Sequence, residues 1–318
     1  MLINVYVEYN RLRNTFTYSC DSHVEVGCRV RVEFNNRTLI GFVEEVDVES
    51  DFKNIKPVIE VIDDKPLLNN ELKLLANYMA DFYASSKVTC YKTMLPPALR
   101  PSSKHSKIIY EDYAILNDSD LPLTPRQKEV LSSFTYPCKM SELRKVSSSI
   151  AKALLDKGYI RIEKRIKDSN THVSSIMDVQ HELTSEQEQA IETIQNTDKT
   201  VSLLHGVTGS GKTEVFLRLA ENVLACGKQV LFLVPEIGLT PMMIQRVQAR
   251  FQQKIAIYHS GLNAQEKLEQ YNLVKENKVD IVVGTRSACF MPFSSLGLIL
   301  MDEEHDSSYK QDNTPRYH

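Results

Sequence analysis

Hydrophobic and polar positions along the chain fall into three stretches with different periods. In the first hundred residues the dominant period is two, which predicts β-strands with one buried face. The candidate strands in that stretch are residues 3–8, 29–34, 39–43 and 58–62. A helical period then runs from Asn70 to Tyr83 and is broken by Pro96, Pro97 and Pro101. The pattern predicts a small β-rich domain with a helix, ending near residue 105.

The next stretch, residues 106–172, carries three helical segments followed by a strand. Thr124 and Pro125 provide the cap and the first position of a helix, a short helix begins at Met140, and a third spans residues 147–157. Residues 159–164 then alternate as a strand. This order is typical of a winged-helix domain, in which the third helix would be the reading helix.

Charge gives this middle stretch a possible role. Residues 139–167 contain nine Lys/Arg and three Asp/Glu, an excess of six positive charges. Such an excess suits contacts with DNA phosphates, for which Arg161, Lys164 and Arg165 are the candidates. Docking of a protein is the alternative, because winged helices also serve as protein-binding modules.

From residue 173 to 318, short apolar runs alternate with amphipathic helices. The candidate strands are residues 201–204, 229–234, 254–258, 279–283 and 298–301. The candidate helices are residues 214–226, 239–251 and 264–276. This alternation predicts an α/β domain with a parallel sheet covered by helices on both faces. Ligands should bind at the carboxyl ends of its strands.

A glycine-rich segment follows the first of these apolar runs and fits the phosphate-loop pattern G-x-x-x-x-G-K-[ST]. Its residues are Gly206, Val207, Thr208, Gly209, Ser210, Gly211, Lys212 and Thr213. A strand feeding such a turn into a helix points backbone N–H groups and the positive end of the helix dipole at one place, which favours a polyphosphate. Lys212 would reach the β- and γ-phosphates and Thr213 would bind Mg²⁺. The alternative is a glycine-rich turn before an ordinary helix.

Two acids follow the last apolar run. Asp302 and Glu303 come directly after residues 298–301. In a sheet that carries a phosphate loop, Asp302 would hold Mg²⁺ through water and Glu303 would orient or polarise the attacking water. The alternative is an acidic turn at the edge of the sheet.

Composition is that of a globular protein, with 42% hydrophobic and 25% charged residues and a formal net charge of −3. No window approaches 18 uninterrupted apolar residues and the N-terminus lacks a basic segment, so we expect no membrane span and no secretory signal. The six cysteines are scattered without a C-x-x-C pair, which favours a reducing cytoplasm and gives no zinc site in this chain.

The run 302–305, Asp-Glu-Glu-His, resembles motif II of the superfamily 2 helicases. Other segments resemble further motifs of that superfamily in the same order, namely 183–187, 233–241, 259–261 and 284–288. The resemblance implies ATP and Mg²⁺ as cofactors, with Gln187 reading the adenine base and Glu214 joining the phosphate loop. It implies Lys212, Asp302, Glu303 and His305 as catalytic residues. It also implies contacts with a DNA strand at Gly284, Thr285 and Arg286.

Residues 302–311 and 316–318 narrow the resemblance to the bacterial replication-restart helicases, and it covers the whole chain. It implies a domain that binds a DNA 3′ end at residues 1–105, a winged helix at 106–172, helicase lobe 1 at 173–318 and a loop that senses single-stranded DNA at 307–318. Phe16, Thr17, Tyr18 and Lys56 match the pocket for the terminal nucleotide. The alternating pattern alone favours core positions for Phe16 and Tyr18.

The activity implied by this resemblance is ATP-dependent 3′→5′ DNA unwinding at stalled or repaired replication forks in the bacterial cytoplasm. Single-stranded and forked DNA, other primosome proteins and the single-stranded-DNA-binding protein are the expected partners. We also expect the second helicase lobe and the zinc-binding region of the family, the only place for Zn²⁺, to lie outside this chain. The alternative is therefore a DNA-binding fragment that binds ATP without hydrolysing it.

Overall fold

A computed structural model describes residues 1–9, 13–100, 110–119, 121–166, 182–207, 209–235, 241–251 and 255–318, with only the backbone of 110–111, 164–166 and 241–242. The chain folds as two compact units. One unit combines residues 1–105 with residues 171–318, and the other comprises residues 106–170.

The N-terminal part of the first unit is an antiparallel sheet of five strands in the order β2-β1-β4-β3-β5. The strands are β1 (Leu2–Val7), β2 (Thr15–Ser19), β3 (Arg29–Phe34), β4 (Arg37–Val46) and β5 (Val58–Val61). Asn35 and Asn36 both have positive φ, as a two-residue hairpin turn between β3 and β4 requires. The four predicted strands are confirmed, and β2 is an additional strand that the sequence pattern did not reveal.

Two helices follow this sheet. Helix α1 (Asn70–Phe82) begins at Asn69, whose side chain accepts a hydrogen bond from the backbone N–H of Leu72 at 2.9 Å. Helix α2 (Lys87–Met94) and a short 3₁₀ turn at Pro97–Leu99 come next. The predicted helix at 70–83 is confirmed to within one residue. The sequence missed α2, because its apolar residues show almost no helical periodicity.

The second unit has its own sheet and core. Its elements are β6 (Tyr110–Leu116), α3 (Pro125–Ser132), β7 (Cys138–Lys139), α4 (Met140–Val146), α5 (Ser148–Asp156) and β8 (Ile160–Ile166). The strands form an antiparallel sheet in the order β7-β6-β8. The three predicted helices and the strand after them are present, whereas β6 was not predicted. Assignment to the winged-helix class stays a prediction.

The C-terminal part of the first unit contains the predicted parallel sheet. Its elements are α6 (Ser185–Asn196), α7 (Lys212–Ala225), β9 (Gln229–Leu233), α8 (Pro241–Phe251), β10 (Ile255–Tyr258), α9 (Ala264–Lys275), β11 (Ile281–Gly284) and β12 (Leu296–Met301). The strands lie in the order β10-β11-β9-β12, and every neighbouring pair is parallel.

One predicted strand is wrong. Residues 201–204 form no strand, and the side chains of Val201 and Leu203 are 84% and 73% exposed. A short apolar run becomes a buried strand only where neighbouring elements pair with it and cover its faces. In the described part of the chain nothing covers these side chains.

The two faces of the parallel sheet are covered from different parts of the chain. Val230 and Phe232 of β9 pack in one cluster with Leu217 of α7 and Val247 of α8. The alternate residues of β9, Leu231 and Leu233, belong to a second cluster together with residues of α9, α1 and α2. Helices from the first hundred residues therefore cover one face of the sheet, as alternation along a strand requires a partner for each face.

Hydrogen bonds join the same two parts of the chain. The Tyr271 hydroxyl in α9 donates to the carbonyl of Leu67 at 2.9 Å, and Asn69 Nδ2 donates to the carbonyl of Phe293 at 2.7 Å. Asn69 thus both begins α1 and ties it to the loop before β12. The predicted boundary near residue 105 separates segments along the chain, but the hydrophobic core crosses it. The division into domains stays a prediction.

Met79→Ala should therefore destabilise the whole first unit. Met79 is 2% exposed in the cluster shared by α1 and the parallel sheet, and truncating a buried Met costs about 2–5 kcal/mol. Urea unfolding should show one transition displaced for both parts. Leu74→Ala on the exposed side of the same helix is the control, since Leu74 is 69% exposed and its loss should cost less than about 0.5 kcal/mol. Equal stabilities of the two variants would contradict a shared core.

Candidate nucleotide and DNA site

The predicted phosphate loop, residues 206–213, forms the turn that opens α7. Gly209 and Gly211 both have a φ of +82°, a backbone conformation that favours glycine, and Gly211 caps the helix. A Cβ atom at Gly211 would also lie 2.3 Å from Gln187 Nε2. The φ of Gly211 disfavours any other residue, and a side chain there would also displace the Gln187 amide. Thr208 lies outside the described residues.

Lys212 and Gln187 both contact the backbone of this loop. Lys212 Nζ donates to the carbonyl of Gly206 at 2.7 Å and to that of Val207 at 3.3 Å. Gln187 Nε2 donates to the carbonyl of Ser210 at 3.0 Å, while its Oε1 accepts from the backbone N–H of Thr184 at 3.0 Å. Gln187 thus lies beside the phosphate loop, and the amine of Lys212 is held where phosphate oxygens could replace the carbonyls.

Asp302 lies at the carboxyl end of β12, where its backbone N–H donates to the carbonyl of Leu233 at 2.9 Å. Burial raises the pKa of its carboxyl group, the charge of Glu303 raises it further, and the charge of Lys212 lowers it. The amine of Lys212 and the carboxylate of Asp302 therefore act on one another at the same edge of the sheet. From the sequence, the two residues could be assigned to one site only because each belongs to a recognisable motif.

Thr213 and Asp302 fit the predicted magnesium site in their chemistry. Mg²⁺ prefers oxygen ligands, keeps several waters and is commonly held by one or two protein groups together with substrate phosphates. The described residues contain no group of three His, Cys, Asp or Glu side chains arranged to hold a metal ion. A hydroxyl and a carboxylate that share the ion with phosphates and water need no such group.

The other acids of the 302–305 segment surround His305. The His305 ring lies 3.6 Å from Glu303 Oε2 through Nε2 and 3.7 Å from Glu304 Oε2 through Nδ1. All three side chains are more than half exposed. Glu303 has a φ of +48°, in the left-handed region that is uncommon for a residue other than glycine. The predicted catalytic residues Glu303 and His305 thus follow Asp302 in one exposed turn.

Glu214 has a different environment from the rest of the loop. Its side chain is buried and its Oε1 lies 2.8 Å from Arg250 Nη2, while Oε2 lies 3.5 Å from Arg246 Nη2. The carboxylate is thereby committed to ion pairs between α7 and α8, which leaves only the backbone of Glu214 to meet a nucleotide. Sequence reasoning missed both arginines, since their spacing from Glu214 shows no local pattern.

The residues predicted to contact DNA at 284–286 differ in burial. Gly284 and Thr285 are buried, whereas Arg286 is half-buried. The carbonyl of Gly284 accepts from the N–H of Val234 at 3.0 Å, and a Cβ there would lie 2.4 Å from the carbonyl oxygen of Tyr258. Gly284 therefore has a packing role in β11. The half-buried Arg286 donates through Nη1 to the carbonyl of Ser308 at 2.8 Å and through Nη2 to Gln311 Oε1 at 2.5 Å.

Of the four residues predicted to bind a DNA 3′ end, the three on β2 do not share one face of that strand. Thr17 Oγ1 donates to Asn4 Oδ1 at 2.9 Å on one face, whereas Phe16 and Tyr18 pack into the β-sheet core on the other. Tyr18 is 3% exposed, and its burial raises its pKa to about 12. The ring of Tyr18 is thus a core position, as the alternating pattern alone favoured.

Three of the four nevertheless meet at the end of β3. The Tyr18 hydroxyl donates to the carbonyl of Glu33 at 3.2 Å, and Lys56 Nζ lies 2.8 Å from Glu33 Oε1. The ring centroids of Phe16 and Phe34 are 4.6 Å apart. Glu33 and Phe34 were missed, because at the end of an alternating strand they look like ordinary surface and core residues.

Several predicted features lie partly or wholly outside the described residues. Arg161 is exposed on β8, whereas the side chains of Lys164 and Arg165 are not described. Residues 167–172 and residues 236–240 of the motif at 233–241 lie wholly outside the described part of the chain. Within the described part of the chain, no helix combines the length and apolar character needed to cross a membrane.

Two protein families match the chain. Residues 4–96 match the 3′ DNA-binding domain (3′BD) family, and residues 184–317 match the DEAD/DEAH box helicase family. The helicase match includes the phosphate loop, Asp302 and the parallel sheet described above. The chain thus combines a 3′ DNA-binding domain with a DEAD/DEAH box helicase domain.

Curated relatives are similar across nearly the whole chain. The replication restart protein PriA of Bacillus subtilis is 32% identical over 98% of this chain and 49% of its own length. PriA of Haemophilus influenzae is 33% identical, over 94% of this chain and 43% of its own length. PriA of Treponema pallidum is 35% identical, over 96% of this chain and 39% of its own length. The chain resembles the replication restart protein PriA over nearly its whole length and spans at most about half the length of these relatives.

The electrostatic link between Lys212 and Asp302 can be measured. Lys212→Ala should raise the pKa of Asp302 further, because it removes the positive charge that stabilises the carboxylate. Glu303→Gln should lower that pKa, because it removes a like charge. Carboxyl ¹³C NMR titration measures both, with Glu304→Gln as a charge-matched neighbour expected to have little effect. An unchanged pKa in Lys212→Ala would show that the two groups do not share a site.

Proposed function

We propose that this chain is the N-terminal part of an ATP-dependent 3′→5′ DNA helicase that recognises stalled or repaired replication forks and starts primosome assembly for replication restart. The observation that carries the proposal is the arrangement of Lys212 in the glycine-rich turn that opens α7 and of Asp302 at the carboxyl end of β12 in the parallel sheet. Hydrolysis of ATP in this class of protein depends on that pair of groups.

The chain's own residues divide the chemistry among them. The backbone of residues 206–213 binds the phosphates, Lys212 leaves the loop carbonyls to meet the β- and γ-phosphates, and Gln187 reads the base. Thr213 and Asp302 would hold Mg²⁺, which would neutralise charge on the β- and γ-phosphates. Glu303 orients and polarises the attacking water, and His305 lies within reach of that carboxylate.

DNA binding would affect the nucleotide site through the segment that follows Asp302. Arg286 donates to the carbonyls of Ser308 and Lys310, and the buried Tyr309 between them donates its hydroxyl to the carbonyl of Asp302 at 2.8 Å. A DNA strand that binds Thr285 and Arg286 would shift a segment tied to Asp302. We propose that residues 307–318 sense single-stranded DNA in this way.

The DNA fork is recognised by the other parts of the chain. Phe16 and Lys56, supported by Tyr18 and by Glu33, form the pocket for a nascent 3′ end, and Thr17 contacts the DNA from the opposite face of β2. Arg161, Lys164 and Arg165 of the winged helix contact duplex phosphates. Other primosome proteins and the single-stranded-DNA-binding protein are the proposed protein partners, in the bacterial cytoplasm.

A second candidate function is that of a DNA-binding fragment that holds ATP without turnover. The hydrogen bonds of Lys212 to loop carbonyls favour it, because the amine must give up both of them to meet a phosphate. In helicases of this class a second lobe supplies the arginine that stabilises the transferring phosphoryl group, and losing such an arginine costs about 10³–10⁵ in rate. Zn²⁺ is likewise expected only in the C-terminal part of the family.

Calorimetric titration with a non-hydrolysable ATP analogue and Mg²⁺ should show weak binding to the isolated chain. Lys212→Ala should abolish this binding, since it removes the charge that meets the β- and γ-phosphates. Lys228→Ala, a surface lysine in the loop before β9, is the control and should bind as the wild type does. A parallel phosphate-release assay should show little stimulation by single-stranded DNA. Robust DNA-stimulated turnover would refute the need for a second lobe.

Phe16→Ala should weaken binding to a recessed 3′-hydroxyl end by about 5- to 150-fold, because base stacking on an aromatic ring contributes about 1–3 kcal/mol. A 3′-phosphate on the DNA should cause a similar loss with the wild type. Fluorescence anisotropy with labelled forks measures both effects. Phe82→Ala, which removes an exposed ring from α1, is the matched control. Equal binding of free and blocked ends by the wild type would show that the pocket is misassigned.

A further inference from the structure

A cavity of about 230 Å³ lies at the junction of the N-terminal part with the parallel sheet. Thr93 lines it from α2, Arg100 lines it from the end of the 3₁₀ turn that follows, and Lys267 lines it from α9. The remaining walls include the residues just after β10 and β11, among them Ser260, Thr285 and Arg286. Both segments of the first unit are thus needed to form it.

The cavity has a strongly positive lining. Arg100, Lys267 and Arg286 line it together with several hydroxyl groups, and no carboxylate is present among the described residues of its wall. Burial lowers the pKa of Arg100 and also that of Lys267, and the charge of Arg100 lowers the pKa of Lys267 further. The two cations therefore repel one another across the cavity, and an anion placed between them would relieve that repulsion.

Hydrogen bonds to backbone carbonyls position the three cations. Arg100 Nε donates to the carbonyl of Leu95 at 3.0 Å, and Lys267 Nζ donates to that of Ser260 at 3.1 Å. Arg286 donates through Nη1 to Ser308 at 2.8 Å, while its buried Nε has no hydrogen-bond partner among the described residues. A backbone carbonyl is a neutral acceptor that positions a cationic side chain without cancelling its charge, as a preorganised anion site requires.

The position of the cavity indicates which anion it takes. It opens beside Thr285 and Arg286, the predicted contacts for a DNA strand, and at the carboxyl ends of parallel strands, where ligands of such sheets bind. A strand that follows these two residues would bring a backbone phosphate to the cavity. Arginine, lysine and hydroxyl groups are the side chains that commonly bind DNA phosphates.

We propose that this cavity binds a backbone phosphate of single-stranded DNA, with Arg100 and Lys267 as ligands beside Arg286. The inference rests on the proposed function, because it requires a DNA strand that runs over residues 284–286. It adds two residues that no helicase motif of this chain contains. Through Arg100, the first hundred residues contribute directly to the strand path of the helicase sheet, apart from any role in binding a 3′ end.

The substitutions Lys267→Gln and Arg100→Gln test the proposal, and Lys278→Gln is the matched control. Lys278 carries the same charge just after α9, and its exposed side chain pairs with Glu276 outside the cavity. The probe is a fluorescein-labelled oligodeoxythymidylate, titrated by anisotropy over a range of KCl concentrations. Each cavity variant should bind about tenfold more weakly, as expected for the loss of one charged hydrogen bond. The slope of log K against log salt should shrink by about 0.7 for each phosphate that is no longer bound, and Lys278→Gln should match the wild type.

Three outcomes would overturn the proposal. The first is that both cavity variants bind with the affinity and salt slope of Lys278→Gln; if thermal unfolding shows that Arg100→Gln does not fold, Lys267→Gln decides alone. The second is that an oligonucleotide with a neutral methylphosphonate backbone distinguishes the wild type from Lys267→Gln as strongly as the natural one. The third is that inorganic phosphate stabilises the wild type but not Lys267→Gln, while DNA binding is unchanged, which would assign the cavity to a free anion.

Failure of the proposed function has a different result. If the wild type itself does not bind single-stranded DNA, the helicase proposal fails together with the cavity assignment. If the wild type binds DNA and Lys212→Ala abolishes ATP-analogue binding, but the cavity variants bind DNA normally, only the cavity assignment fails.

Discussion

Burial of both faces of the four-stranded parallel sheet is the constraint on which the rest of the first unit depends. A parallel strand such as β9 presents apolar side chains to both sides, and exposing either side would cost much of the free energy of folding. Helices α7 and α8 cover one side, and α9 covers the other together with α1 and α2. The DNA-binding and helicase parts therefore share a hydrophobic core, and residues from both can be held at fixed distances from one another.

The charged groups at the carboxyl edge of this sheet are arranged by that packing. Lys212 and Asp302 lie far apart along the sequence. They come close in the fold because α7 packs against the sheet that contains β12. Glu214 and Arg250 form a buried ion pair in which each desolvated charge depends on its partner. The ion pair fixes α7 against α8, and so it supports the phosphate loop from the far side of the helix.

The segment after Asp302 joins the residues proposed for the nucleotide to those proposed for DNA. Tyr309 is buried and bonded to the carbonyl of Asp302, while Arg286 is bonded to the backbone on both sides of Tyr309. A change in the interactions of Arg286 therefore reaches Asp302 through a short chain of hydrogen bonds and one packed ring. Such a contiguous network is a physical route for coupling between two sites.

The sequence by itself determined the periodic elements and the site residues that belong to continuous motifs. Residues 206–213 carry their chemistry in local spacing. The acidic strand end at 302–305 can be interpreted once that loop has been recognised in the same sheet. Only the tertiary structure decided between the core and the DNA-contact interpretations of Tyr18, showed that residues 201–204 form no strand, and paired Glu214 with Arg250. These outcomes depend on which side chains cover, pair with or charge one another across the fold, and neither period nor motif spacing contains that information. Arg100 and Lys267 meet in one cavity for the same reason, since they lie far apart along the chain and only the shared core brings them together.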